Sequence, residues 1–109
     1  MRIIDKLKTI RDILVSVCDE TYHYENKENG INRYIVWAEQ GEGSSLQLDN
    51  GKVEQTIDIT IDFFTYREYD EMVDIIQEKM SEAKISYTLE SVQYETQVEL
   101  IHYEWKVNL

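Results

Sequence analysis

Val53-Glu54-Gln55-Thr56-Ile57-Asp58-Ile59-Thr60-Ile61-Asp62-Phe63-Phe64-Thr65-Tyr66-Arg67 is the stretch that decides the fold. Ile57, Ile59, Ile61 and Phe63 fall on every second residue, and Thr56, Asp58, Thr60, Asp62 and Phe64 take the opposite phase. A period of two marks a half-buried strand, and β-branched and aromatic residues dominate it. One face is expected on the core and the other is expected to carry Asp58 and Asp62. The pattern changes at Thr65. Thr65-Tyr66-Arg67-Glu68 reads as a capping box, with Thr65 closing the first backbone N–H groups and Glu68 reaching back. It opens a helix from Glu68 to Lys84, whose apolar stripe is Tyr69, Met72, Val73, Ile76, Met80 and Ala83.

Toward the N-terminus, Arg2 to about Cys18 reads as a first helix, with Ile3, Leu7, Ile10, Leu14 and Val17 spaced by three or four in one apolar stripe that Ile4 and Ile13 widen. Thr21 to Glu25 alternates and reads as a short strand, and Asn26 to Asn32 reads as a loop. Arg33 to Gln40 is a second strand, followed by a flexible loop, Gly41 to Ser45. Ser45 to Leu48 is expected to pair with the start of the organising strand across Asp49-Asn50-Gly51, because an Asn-Gly step is a hairpin signal. After the second helix, Ile85 to Tyr94 reads as a strand with Tyr87 and Leu89 on one face and Val92 and Tyr94 on the other, and the phase slip between Leu89 and Val92 is the mark of a bulge. Glu95 to Gln97 is a turn, and Glu99 to Leu109 is the last strand. Short links between strands predict a largely antiparallel sheet. The chain thus reads as a single α+β domain, 1–109. It is a mostly antiparallel sheet with two helices packed on one face, in the order α-β-β-β-α-β-β.

The 109 residues carry 11 Lys+Arg against 22 Asp+Glu, a formal net charge of −11. That balance disfavours a grip on DNA phosphates or on an anionic membrane. It leaves a surface that repels DNA, one that imitates DNA, or one that is simply soluble. Cys18 is the lone cysteine, so an internal disulfide is impossible. It reads as a small buried apolar residue in a reducing compartment. No apolar run approaches a membrane span, and the alternating charges of Met1 to Lys6 do not make a signal-peptide core.

Chemistry-bearing constellations are sparse. His23 and His102 lack ligand partners at metal spacing, and His102 is expected to form a structural pair with Glu104 on its own strand face. Asp58 and Asp62, four apart on a strand, stand about 13 Å from each other, too far to share an ion, so they read as a solvated or subunit-facing surface. Gly41-Glu42-Gly43-Ser44-Ser45 lacks the Lys and the helix of a phosphate cradle. Asp49-Asn50-Gly51 is only a fragment of a calcium loop. The tyrosines are interleaved with acids, not with Lys and Arg, so they read as cross-strand packing residues. The expectation is a protein without catalytic residues, metal or cofactor.

Three segments together resemble a known family: Arg33-Tyr34-Ile35-Val36-Trp37-Ala38-Glu39, the Val53 to Thr65 strand leading into Glu68-Tyr69-Asp70, and Ile101-His102-Tyr103-Glu104-Trp105. The arrangement is similar to small tail proteins of long-tailed phages and prophages of Gram-positive bacteria, of the tail-terminator (tail-completion, head–tail joining) kind. Arg33 stands where that family usually has a proline. The resemblance implies an α+β subunit of a hexameric ring that caps the tail tube, ends its polymerisation and docks the filled head. The implied partners are further copies of the chain, tail-tube proteins and head-connector proteins. DNA would pass through without specific binding, past carboxylates that repel its backbone. The implied location is the host bacterial cytoplasm during assembly and then the head–tail junction. Asp58, Asp62, Gln40, Glu42, Asp49 and Asn50 are the candidate lumen or subunit contacts, and loops 26–32 and 40–51 are candidates for intersubunit contact. The alternative is an acidic DNA mimic that occupies a basic nucleic-acid-binding host protein.

Overall fold

The computed structural model describes residues 2–43, 46–47 and 53–109. The elements are α1 (Ile3–Val17), β1 (Thr21–His23), β2 (Arg33–Glu42), β3 (Leu46–Gln47), β4 (Val53–Glu54), β5 (Ile57–Thr65), α2 (Met72–Glu82), β6 (Ser86–Glu95) and β7 (Leu100–Asn108). The main sheet has five strands in the order β1-β2-β5-β7-β6, and β3 and β4 form a separate two-stranded ribbon. That ribbon aside, the α-β-β-β-α-β-β order and the α+β class are as read from the sequence. No helix among the described residues is long and apolar enough to cross a membrane.

Alternation builds the centre. Ile57, Ile59, Ile61, Phe63 and Thr65 of β5 are all buried, and the residues between them are half-buried. Against that face lie Ile10 and Leu14 of α1 and Met72, Ile76 and Met80 of α2, joined by Ile35, Trp37, Trp105 and Val107 of the flanking strands. Burying a side chain of this size stabilises by about 1.5–3 kcal/mol, so the helices are held on this one face. Lys6 Nζ ties α1 to the far end of the sheet by donating to the backbone oxygens of Gln55 at 2.7 Å and Leu109 at 3.0 Å.

The structure departs from the sequence reading at four places. First, β1 runs parallel to β2, with Thr21 opposite Ile35 and His23 opposite Trp37. The segment 24–32 is long enough to carry the chain back past the three residues of β1, and it turns at Tyr24 (φ 75°) and Gly30 (φ 81°). The other contacts in the sheet are antiparallel. Second, the organising stretch is not one strand. β4 pairs with β3, as the expected hairpin requires, but 55–56 separate it from β5. Its proposed Asp49-Asn50-Gly51 turn lies outside the described residues.

Third, β2 continues through Gly41 to Glu42 across a bulge between Glu39 and Gly41, where a loop was expected. The bulge expected in β6 is present, between Leu89 and Ser91. Fourth, α2 starts at Met72, so the Thr65–Glu68 capping box does not form. Thr65 Oγ1 instead accepts from Arg67 N at 3.0 Å and donates to Asp70 Oδ2 at 2.7 Å. Asp70 Oδ1 accepts from Met72 N at 3.0 Å, the role the box had reserved for Thr65. Tyr69, expected on the buried stripe, sits in the turn before the helix at φ 60° and is 88% exposed. Ala83 is exposed as well. The helix ends in a Schellman pattern, with Ile85 N bonding Met80 O and Lys84 N bonding Ser81 O, and Lys84 takes the left-handed position at φ 59° that glycine usually fills.

Asp70 is the pivot of this corner. Arg33 grips it through Nε and Nη2, both at 2.8 Å, and its side chain is 1% exposed. Burial pushes the carboxyl up, but the hydrogen bonds from Arg33, Thr65 and Met72 N outweigh burial and bring it down to about 2. A folded value depressed this far contributes roughly 2–3 kcal/mol. That stability is present above the ordinary carboxylate value and lost as pH falls through about 2. Asp70→Asn is expected to cost about 3–5 kcal/mol at pH 7 and to flatten the acid limb of the stability curve. Urea denaturation between pH 2 and pH 7 measures both effects.

Candidate functional site

The sheet face turned away from the helices carries most of the residues singled out from the sequence. It is contributed by alternate positions of β2, β5 and β7, among them Tyr34, Asp58, Thr60, Asp62, Phe64, His102 and Asn108. A row of rings crosses it. Tyr22 meets Tyr34 edge-on at 6.3 Å, Tyr34 stacks on Phe64 at 4.9 Å, and Phe64 stacks on His102 at 4.1 Å. The row spans β1, β2, β5 and β7, and Glu95 of β6 closes it.

His102 sits between two carboxylates, with Nε2 at 2.6 Å from Asp62 Oδ1 and Nδ1 at 3.0 Å from Glu95 Oε1. A neutral imidazole has one N–H, so only the imidazolium can donate at both ends. Stacking on Phe64 favours the same charge. Burial pulls the His102 value down, but the hydrogen bonds the ring donates to Asp62 and Glu95 prevail and raise it above 6.5. Burial also pushes Asp62 up, against the His102 hydrogen bond and with help from the charge of Glu104. The two shifts favour opposite states of the pair. The His102 direction is the one the geometry supports, because two carboxylates serve one ring.

The expected His102–Glu104 pair does not form. Residues two apart on a strand are separated by about 6.5 Å, and side chains on the adjacent strands lie closer. Glu104 instead accepts from Ser91 Oγ at 3.2 Å.

The remaining candidates divide. Asp58 Oδ1 accepts from Asn108 Nδ2 at 2.9 Å, and Gln40 Nε2 donates to Thr60 Oγ1 at 3.0 Å. Asp58, Asp62 and Gln40 therefore share the open face. Glu42 does not join them, because the β2 bulge places it opposite Ile57, on the helix side. Asp49 and Asn50 lie outside the described residues.

Two clusters were missed from the sequence. Gly43, assigned to a flexible loop, donates its N–H to Thr56 O at 3.1 Å. A Cβ there would lie 2.4 Å from Asn108 Nδ2, 2.7 Å from Thr56 Oγ1 and 2.8 Å from Asp58 Oδ1. At the β1 edge, His23 is sandwiched between Tyr24 and Trp37, each at 3.9 Å, and its Nε2 lies 2.7 Å from Glu39 Oε2. Tyr24 Oη also donates to Glu39. Burial pushes Glu39 up, but these hydrogen bonds lower it below the ordinary range. The signal for both clusters was residue type alone, since their partners are remote in sequence.

Among the described residues no three His, Cys, Asp or Glu side chains are grouped to hold a metal ion. Cys18 is buried, which raises its thiol. The open face pairs several of its charges locally and carries a row of half-buried, mutually stacked rings. No protein-family model matches this sequence, and no curated protein matches it.

Because the folded value of His102 is raised, its contribution is complete below 6.5 and is lost as pH rises through the folded value. Stability is expected to fall across that window in the native protein and to stay level in His102→Gln. Imidazole nitrogen shifts followed by NMR through a pH titration should show both ring nitrogens staying protonated to higher pH than in a free histidine. Gly43→Ala is expected to lower stability by about 1–3 kcal/mol, readable as a shift in the urea midpoint with the slope unchanged.

Proposed function

We propose that the chain is a structural virion-assembly subunit of the tail-terminator kind. It caps the phage tail tube as a hexameric ring, ends tail polymerisation and joins tail to head. The observation that carries this reading is where the three family-like segments fall. Apart from Val53–Glu54 in β4, they occupy β2, β5 with its exit toward α2, and β7, which are neighbours in the middle of the sheet. The likeness therefore concerns one contiguous unit. Arg33, standing where the family usually has proline, contributes the Asp70 clamp that sets the exit from β5.

In this reading the work is mechanical and requires no catalysis or cofactor. The partners are further copies of the chain, tail-tube proteins and head-connector proteins. Asp58, Asp62 and Gln40 share a face and are candidates for the lumen. A net charge of −11 per subunit would repel the DNA backbone and keep the genome moving. Assembly takes place in the host bacterial cytoplasm, and the finished ring sits at the head–tail junction. The same charge favours a second reading, an acidic DNA mimic bound to a basic host protein.

Electron microscopy of particles from the parent phage with this gene deleted separates the two readings. The ring reading expects filled heads beside separate, overlong tails. Normal infectious virions would overturn it and leave the mimic.

A further inference from the structure

β6 is the outer strand of the sheet and, among the described residues, is bonded to β7 alone. Alternate backbone N–H and C=O groups on its far side therefore point away from the sheet. Natural edges are commonly blunted by short length, Lys or Pro. β6 is ten residues long, and the chain from Ile85 to His102 contains no Lys, Arg or Pro. Its bulge interrupts the ladder near Glu90 and leaves Ser91 to Glu95 in continuous register.

Leu89, Val92 and Tyr94 of β6 lie opposite Trp105, Tyr103 and Ile101, so they share the helix side of the sheet. Yet they are 40%, 51% and 59% exposed. The helix layer stops short of them. Between α2 and β6 runs a groove lined by Asp74, Gln77, Glu78, Ser81, Glu82 and Tyr87. Asp74, Glu78 and Glu82 are four apart and form one row along the helix. Glu82 is bridged to Lys79 at 3.6 Å, while Asp74 and Glu78 have no ion-pair partner among the described residues.

We propose that the β6 edge and this groove receive an extended segment of another protein that carries apolar and basic side chains. Its backbone adds a strand to Ser91–Glu95. Its apolar side chains cover Val92 and Tyr94, and its Lys or Arg side chains reach Asp74 and Glu78. Charge complementarity selects this occupant over a second copy, because a second β6 edge would bring Glu90 and Glu95 and no Lys or Arg to meet Asp74 and Glu78. The inference goes beyond the ring reading and does not depend on it.

The test titrates the full-length ¹⁵N-labelled chain with a ten-residue peptide of alternating Val and Lys, and with the same peptide carrying Glu for Lys. The expected result is amide shifts confined to β6 and the start of α2 with the Lys peptide only. The Asp74→Lys/Glu78→Lys variant should bind about tenfold more weakly, a change of about 1.4 kcal/mol. Val92→Lys, at a half-exposed position that leaves the core intact, should weaken binding similarly. No binding by the Lys peptide, equal binding by the Glu peptide, or shifts centred on β1 or the open face would overturn the proposal. So would sedimentation showing a dimer that buries β6, which would make a second copy the occupant.

Discussion

One buried carboxylate holds the corner on which the fold depends. Asp70 takes both arms of Arg33 from the start of β2, the hydroxyl of Thr65 from the end of β5, and the first free N–H of α2. Burying an unpaired carboxylate would cost several kcal/mol, so the group tolerates only arrangements that supply these donors together. Arg33 and Thr65 are also opposite each other in the ladder. The clamp therefore fixes the register of the two central strands as well as the departure of the helix. A one-residue slip would turn Asp58 and Asp62 into the core and Ile59 and Ile61 out of it.

With register set, the two faces of the sheet follow. One is dry and carries both helices. The other is open and settles its charge locally, with His102 between Asp62 and Glu95 and with Asn108 and Gly43 closed over Asp58. The acids of this chain are therefore not equivalent. Some are locked into hydrogen-bonded groups, and others, such as Asp74 and Glu78, have no ion-pair partner among the described residues and can attract another molecule. A net charge treats them alike, whereas the structure separates those that hold the fold from those that can meet another molecule.

What was legible in the sequence was local. The alternation of β5, the α1 stripe and the β6 bulge are written in neighbouring residues and are present. Ile4, expected to widen the stripe, is nevertheless 55% exposed, and the bulge brings Val92 and Tyr94 onto the face of Leu89 rather than the opposite one. The α2 onset was misread because the local Thr65–Glu68 pattern competes with a carboxylate whose main partner is 37 residues away. His102 was assigned the wrong carboxylate because Asp62 and Glu95 reach it only after three strands align. Gly43 looked like loop punctuation, and only the folded chain brings Thr56, Asp58 and Asn108 against it. β1 was read as a strand, but its parallel direction depends on a loop that no short-range rule describes.

The most direct test of this account is a double-mutant cycle on the clamp, with Arg33→Ala, Asp70→Ala and the double variant unfolded in urea at pH 7. If one carboxylate organises the corner, the cycle should return a coupling energy of about 1.5–3 kcal/mol, because Arg33→Ala leaves the Asp70 carboxylate buried without its main partner. Additivity within about 0.5 kcal/mol would contradict that claim and would reduce Asp70 to one helix cap among several contacts.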